Sequence, residues 1–165
     1  LASANDRKKM VELAILDQEN LSIDLREIEN KNISYTVNTL ISLRVEFPND
    51  ALFLIVGEDV FNMIDTWKDW QSILNYTHII VATRLEENKK NISDELKVWR
   101  KKNEINDIKI LKMTQSGHVF YINTPIVEIS SRMIREYYSQ NKIIDEYLPS
   151  NIISYIKENN LYMDN

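Results

Sequence analysis

The chain of 165 residues is long enough for one domain with a sizeable hydrophobic core, and its hydrophobic share of 44% is typical of a globular protein. Its net charge of −5 argues against binding to nucleic acid or to an anionic membrane, since both would repel it, and no apolar run approaches the roughly 18 residues of a membrane helix. It has no cysteine, which excludes thiolate sites and suits a reducing cytoplasm, and its 2 glycines exclude both the Gly-rich dinucleotide fingerprint and the Walker A loop.

Helices and strands alternate along the chain. Apolar residues at helical spacing predict helices, and short alternating or continuous apolar runs predict strands. In chain order, the predicted elements are a helix at 3–16, a strand at 21–25, a helix at 36–47, a strand at 52–56, short helices at 59–64 and 70–74, a strand at 78–82, a helix at 91–102, strands at 108–113 and 119–122, and helices at 130–140 and 149–160. This order predicts a single α/β domain over residues 1–165, with three layers and a mainly parallel sheet.

The start of the helix at 130–140 is a candidate phosphate site. A serine at a helix start caps a backbone N–H, and the amides of the first turn attract anions. Ser130 and Ser131 stand at this start, and Arg135 follows one helical turn later, so its guanidinium could reach a bound polyphosphate. An ordinary N-cap followed by surface arginines explains the same residues, and spacing alone favours that simpler interpretation.

The turn after the strand at 52–56 is a candidate ribose site. In an open parallel sheet, ligands bind beyond the carboxyl ends of the strands. Gly57 lets a ligand approach the backbone there, and Asp59 is placed to accept hydrogen bonds from ribose hydroxyls. A tight strand-to-helix turn with Asp59 as the N-cap is the alternative.

Two aromatic segments could hold a planar ring. Trp67 and Trp70 lie in a polar stretch, and an indole stacks on an aromatic base or a pyridine; the alternative is that both pack in or beside the core. The segment Ser34-Tyr35-Thr36 offers hydroxyls and an aromatic face before a helix, where a plain N-cap is the alternative. His78 begins an apolar strand and is interpreted as a structural histidine.

Several short motifs, in order along nearly the whole chain, resemble those of bacterial nicotinate-nucleotide adenylyltransferases. The matching segments are Ser3-Ala4-x-x-Arg7-x-x-Met10-x-Glu12-Leu13-Ala14, Ser34-Tyr35-Thr36-x-x-Thr39-Leu40, Gly57-x-Asp59, Thr66-Trp67-x-x-Trp70, His78-Ile79-Ile80-Val81, Ile129-Ser130-Ser131-x-x-Ile134-Arg135 and Tyr155-Ile156-x-Glu158-Asn159-x-Leu161-Tyr162. Each motif alone is weak, and their common order and spacing carry the resemblance. It implies a Rossmann-like nucleotidyltransferase fold.

The resemblance also implies an activity in NAD biosynthesis: transfer of the adenylyl group of ATP to nicotinate mononucleotide, giving deamido-NAD and pyrophosphate. In such an enzyme the ATP phosphates would contact Ser130, Ser131 and Arg135, and the adenosine ribose would contact Gly57 and Asp59. Mg²⁺ would accompany the ATP phosphates, and no dedicated protein ligands for it can be identified in the sequence.

The same resemblance implies a site for the pyridine nucleotide. Tyr35, Thr36 and Trp67, with the backbone amide of Lys68, would contact the nicotinate ring and its carboxylate, and Arg84 would approach the mononucleotide phosphate. The partners implied are therefore ATP and nicotinate mononucleotide, while the sequence leaves a homo-oligomer open.

Two departures from the family pattern stand out. Members normally begin with a strand and a Gly-x-Phe-Asp-Pro-x-His-x-Gly-His turn that binds the triphosphate; neither His78 nor His118 has that spacing, so we expect a further N-terminal segment upstream. The family usually continues into Arg-Pro-Gly where this chain has Arg84-Leu85-Glu86, which weakens the role assigned to Arg84. An adenylyltransferase for another acceptor, such as phosphopantetheine, and an inactive nucleotide-binding domain are the alternatives.

Overall fold

The computed structural model describes residues 2–30, 32–83, 92–125 and 129–162. The chain divides into two compact units. The first, here called the helical unit, comprises Leu1–Glu29 and Val127–Asn165, and the second, here called the sheet unit, comprises Asn30–Ile126. The expectation of a single domain over 1–165 stays a prediction.

The described residues form an α/β structure. Its strands are β1 Phe53–Gly57, β2 His78–Thr83 and β3 Val119–Asn123. Its α-helices are α1 Ala4–Ala14, α2 Arg26–Glu29, α3 Thr36–Glu46, α4 Glu58–Phe61, α5 Asp94–Asn103, α6 Lys109–Met113, α7 Ser131–Ser139 and α8 Ser150–Glu158, and two 3-10 helices span Ile64–Thr66 and Trp70–Asn75. Among these residues, no helix combines the length and the hydrophobicity that a membrane span requires.

A parallel sheet organises the sheet unit. The strands lie in the order β1-β2-β3, with Gly57 opposite Ala82 and Thr83 opposite Asn123. Ile79 and Val81 on the central strand are fully buried, as expected for a continuous apolar run in a parallel strand covered on both faces. The predicted α/β class with a parallel sheet is therefore confirmed.

The core of the sheet unit forms where short helices pack on these strands. Its buried members come from α3, α4, α5, the 3-10 helices and the strands: Leu40, Phe61, Ile64, Trp70, Ile73, Leu74, Ile79, Val81, Leu96 and Val119. Phe61 and Ile64 are fully buried, and each such side chain contributes about 1.5–3 kcal/mol relative to exposure. Burial of Phe61 and Ile64 fixes the chain on both sides of the short turn between α4 and the first 3-10 helix.

Helices α1 and α8 pack together in the helical unit. Ser3 and Asp6 form the predicted capping box at the start of α1. The Tyr155 hydroxyl donates to Asp6 Oδ1 over 3.0 Å, and Asn151 Nδ2 donates to the Leu13 carbonyl over 2.9 Å. Polar contacts thus join both ends of α1 to α8.

Two predicted strands are wrong. Residues 21–25 are not a strand, because an alternating segment becomes one only when a neighbour completes its hydrogen-bond ladder, and no described strand pairs with it. The segment at 108–113 is helix α6 instead. The apolar residues of this segment fit both the strand period and the helix period. Within the segment Leu111 alone is buried, and Met113 is 83% exposed. At the start of the helix, the Lys109 amide donates to Asp107 Oδ1.

Candidate active site

The carboxyl ends of the three strands present polar groups at one edge of the sheet. Thr83 Oγ1 donates to Asn123 Oδ1 over 2.7 Å, and the Thr124 amide donates to the Thr83 carbonyl over 3.0 Å. Gly57 ends β1 at the same edge and is directly followed by α4. This is the edge at which parallel α/β sheets bind ligands.

Gly57 and Asp59 come together tightly at this edge. Gly57 has φ −71° and ψ 155° and is the N-cap of α4, so the alternative in which Asp59 is the N-cap is wrong. A β-carbon on Gly57 would lie only 2.6 Å from Asp59 Oδ1. Glycine therefore permits the close approach of the Asp59 carboxylate, and its backbone angles are ordinary.

Tyr35 and Lys68 are also brought together. Tyr35 is the N-cap residue of α3, but its side chain does not cap the helix, and Thr36 is the first helical residue. The Lys68 ammonium lies 4.6 Å from the centroid of the Tyr35 ring. The two segments predicted to surround a pyridine ring are thus in contact within the sheet unit.

The two tryptophans have different roles. Trp70 is buried and packs edge-on against Trp99, with ring centroids 5.0 Å apart, so it belongs to the core. Trp67 is half-buried and packs against that core, and its extended backbone ends the 3-10 helix Ile64–Thr66. Of these two residues, Trp67 is the one that combines an anchored side chain with partial exposure, as a ring that stacks on a ligand requires.

Ser130, Ser131 and Arg135 lie at the start of α7 in the helical unit. The Ser130 hydroxyl oxygen accepts a hydrogen bond from the Met133 amide over 3.1 Å, so the predicted N-cap is real. Ser131 and Arg135 line a cavity of about 390 Å³ whose other walls are mostly apolar. The Arg135 guanidinium lies 5.9 Å from the centroid of the Tyr162 ring and remains exposed. Capping thus uses Ser130 as an acceptor and leaves its O–H available as a donor.

His78 is structural, as its position in an apolar strand predicted. The His118 amide donates to Nδ1 over 3.3 Å, and Nε2 lies 3.0 Å from the Thr114 carbonyl, which can only accept. The proton of a neutral ring must therefore lie on Nε2. Burial lowers the pKa of His78 below its ordinary value. The remaining predicted site residue, Arg84, lies outside the described residues.

Arg44 is the main polar residue that the sequence did not reveal. Its guanidinium donates to the carbonyls of Phe47, Asp50, Tyr76 and Gln115, at distances from 2.7 to 3.2 Å. Three of these carbonyls shortly precede β1, β2 and β3. The partners lie up to 71 positions away in sequence, so no local spacing signals them.

Among the residues that the structure describes, no three histidine or carboxylate side chains gather as metal ligands would. At the carboxyl edge of the sheet, Asp59 supplies a carboxylate in the first turn of α4, shortly after β1 ends. A magnesium ion bound to nucleotide phosphates requires few protein ligands, so this arrangement is compatible with a metal that enters with its nucleotide.

Comparison with known proteins identifies related sequences over nearly the whole chain. Residues 1–137 match the family model described as cytidylyltransferase-like. A probable nicotinate-nucleotide adenylyltransferase of Psychromonas ingrahamii is 39% identical over 162 residues, which cover 98% of this chain and 75% of that protein. Its counterpart in Borreliella burgdorferi is 33% identical over 161 residues, covering 98% of this chain and 72% of that protein.

Solved structures show the same fold. The nicotinic acid mononucleotide adenylyltransferase of Plasmodium falciparum complexed with APC has a TM-score of 0.65 at 19% identity, covering 98% of this chain and 77% of that one. The same enzyme complexed with NaAD gives a TM-score of 0.64. The expected Rossmann-like nucleotidyltransferase fold is thereby confirmed. Since the sequence relatives match at this level of identity across almost all of its length, the chain belongs to the nicotinate-nucleotide adenylyltransferase family.

Proposed function

We propose that this protein transfers the adenylyl group of ATP to nicotinate mononucleotide, forming deamido-NAD and pyrophosphate in NAD biosynthesis. The family supports the reaction, and the geometric observation that carries it is the Gly57–Asp59 turn at the carboxyl edge of a parallel sheet. Both proposed substrates are charged cellular metabolites, so we place the reaction in the cytoplasm.

The pyridine nucleotide binds to the sheet unit in this proposal. Trp67 stacks on the ring, and Tyr35 and Thr36 contact it from the start of α3. The backbone amide of Lys68 donates to the nicotinate carboxylate. No described group accepts a hydrogen bond from that amide, so it is available for a ligand. Arg84 contacts the mononucleotide phosphate.

The family resemblance assigns two groups of residues to ATP, and each group is described within its own unit. In the sheet unit, the Asp59 carboxylate accepts hydrogen bonds from the ribose hydroxyls, and Gly57 allows the close approach. In the helical unit, Ser130, Ser131 and Arg135 bind phosphate oxygens through hydroxyl, amide and guanidinium donors. Mg²⁺ would accompany the ATP phosphates and would neutralise part of their charge.

The proposed chemistry requires no covalent intermediate with the protein. A phosphate oxygen of the mononucleotide attacks the α-phosphorus of ATP, a new P–O bond forms, and the bond to pyrophosphate breaks with pyrophosphate leaving on the opposite side. Alignment of the two substrates and donors to the charged oxygens supply most of the catalysis in such transfers. The residues above provide both kinds of contribution.

A turnover assay tests the proposal directly. ATP is supplied with nicotinate mononucleotide, its amide or phosphopantetheine, and pyrophosphate release is measured. We expect the highest kcat/KM with the nicotinate form. Turnover of phosphopantetheine alone would contradict the assigned acceptor, and binding of nucleotides without turnover of any acceptor would contradict the enzymatic function.

Substitution of Trp67 tests the acceptor site. We expect Trp67→Ala to weaken binding of nicotinate mononucleotide about tenfold and to leave ATP affinity nearly unchanged, because the indole faces only the pyridine. Trp67→Phe is the matched control, since it keeps an aromatic face against the same core neighbours and should retain most of the affinity. Equal losses for both ligands would contradict the assignment.

A further inference from the structure

The exposed side chain of Lys68 contacts an aromatic ring from a distant segment of the chain. Its ammonium lies 4.6 Å from the Tyr35 ring centroid, although the two residues belong to segments far apart in sequence. A cation above an aromatic face at an exposed site gains about 0.5–1 kcal/mol. This contact restrains a flexible four-carbon stem and places its charge beside the segment that begins α3.

The charge of Lys68 is not neutralised by a carboxylate in the described ranges. The ion pairs found there involve other lysines and arginines, and Asp69 follows Lys68 directly without pairing with it. Asp69 has φ 49°, a left-handed conformation that turns the chain immediately after Lys68. The ammonium is therefore localised on Tyr35 and remains available to an anion.

The backbone amide and the side chain of Lys68 distinguish ligands differently. A backbone N–H can donate to a carboxylate oxygen or to an amide oxygen, so it recognises both nicotinate and nicotinamide. An ammonium also responds to the full negative charge that only the carboxylate carries. The side chain can thus supply a discrimination that the backbone contact lacks.

On the basis of the proposed function, we propose that Lys68 determines specificity: its ammonium, held over Tyr35, selects a pyridine mononucleotide that carries a carboxylate over one that carries an amide. Tyr35 acts as the positioning residue for that charge. The ligand class is a pyridine-3-carboxylate nucleotide, and the amide nucleotide is the competitor that Lys68 disfavours.

The experiment measures the affinities of the full chain for nicotinate mononucleotide and for nicotinamide mononucleotide by isothermal titration. Lys68→Met removes the charge and keeps the backbone amide and most of the stem. We expect it to weaken nicotinate mononucleotide binding about fivefold to tenfold and to change binding of the amide less than twofold. Lys68→Arg keeps a cation that stacks on Tyr35 and should retain most of the preference.

Two controls separate this specificity from other effects of charge. Lys109→Met makes the same change in net charge at an exposed position of α6 and should leave both affinities unchanged. Raising the ionic strength should reduce the acid preference of the wild-type protein and have a smaller effect on that of Lys68→Met, because salt screens the exposed ammonium.

Three outcomes would overturn the inference. An unchanged ratio of affinities in Lys68→Met would show that the ammonium does not discriminate. Equal losses for both mononucleotides would show that it contacts a group common to both, such as the phosphate. If the wild-type chain bound neither mononucleotide, the proposed function of this site would itself fail, which is a result distinct from the other two.

Discussion

The turn between β1 and α4 allows a test in which stability and ligand binding respond differently. A β-carbon at Gly57 would lie 2.6 Å from Asp59 Oδ1, well inside the roughly 3.5 Å of an ordinary non-bonded contact. In Gly57→Ala, the Asp59 carboxylate must therefore move by most of an ångström. Asp59 is exposed, so its side chain has room to turn away.

The expected change in stability is small because two effects oppose each other. The backbone angles of Gly57, φ −71° and ψ 155°, suit alanine, so the substitution gains about 0.4–1 kcal/mol by restricting the unfolded chain. Displacement of the Asp59 side chain from its preferred rotamer costs about 0.5–1.5 kcal/mol. We expect the free energy of unfolding of Gly57→Ala to stay within about 1 kcal/mol of the wild-type value.

The expected change in ATP binding is larger. A hydrogen bond to a charged group contributes about 1.5–3 kcal/mol, so loss of the ribose contact should weaken ATP binding at least tenfold. In an Asp59→Ala background the overlapping carboxylate is absent. There Gly57→Ala should stabilise the protein by about 0.4–1 kcal/mol and cause no further loss of ATP affinity.

Urea unfolding and ATP titration of the four proteins in this double-mutant cycle provide the measurement. The stability arm tests the close contact alone, and the binding arm tests the role of Asp59. If Gly57→Ala had the same effect on unfolding in both backgrounds, the inferred contact would be refuted. If it left ATP affinity unchanged in the wild-type background, the ribose contact would be refuted instead.

Three further substitutions separate structural residues from ligand-binding ones. Arg44→Lys should lower the free energy of unfolding by about 2–4 kcal/mol, because an ammonium cannot reach all four carbonyls. Urea unfolding measures this loss, and Arg132→Lys at an exposed position is the control. A loss below about 0.5 kcal/mol in Arg44→Lys would contradict the prediction. Because the pKa of His78 is lowered in the folded protein, the unfolded chain binds a proton more readily than the folded one. The free energy of unfolding should therefore decrease as the pH falls below about 6.5. Urea unfolding at pH 7.5 and 5.5 should show a smaller difference in this free energy for His78→Asn than for the wild type, and an equal difference would exclude His78 as the cause. Arg135→Ala should weaken ATP binding about tenfold in titration with little change in melting temperature, whereas a large drop in melting temperature with intact ATP affinity would make Arg135 structural.

The sequence predicts the strands of the sheet well where several consecutive residues are apolar. The run from Phe53 to Val56 and the run from His78 to Ala82 are apolar on consecutive residues, which at this length favours a strand. On the central strand Ile79 and Val81 are fully buried, whereas Phe53 and Ile55 on β1 are exposed. The segment at 108–113 has no such bias, since its apolar residues fit both the strand and the helix period. There a local contact, from the Lys109 amide to Asp107, accompanies the helix that forms.

Alternation at residues 21–25 illustrates a different limit. The alternating pattern can be read from the segment itself, but a strand forms only when its backbone groups hydrogen-bond to a neighbouring strand. A similar limit applies to the candidate site. Ser130 can be identified as an N-cap from its immediate neighbours, whereas the contact between Tyr35 and Lys68 depends on how distant segments fold together. Sequence patterns predict residues that act locally and miss those that act across the fold.

In the sheet unit, polar residues at the amino ends of the strands differ in role from those at the carboxyl ends. At the amino ends, Arg44 joins the carbonyls that precede all three strands, and both ring nitrogens of His78 have backbone partners. Saturated partners of this kind stabilise a fold but leave little capacity to bind a ligand. At the carboxyl ends, the Asp59 carboxylate is exposed directly after Gly57, so it has acceptor capacity in reserve. Substitutions at the amino ends should therefore change mainly the free energy of unfolding, and those at the carboxyl ends mainly the affinity for nucleotide.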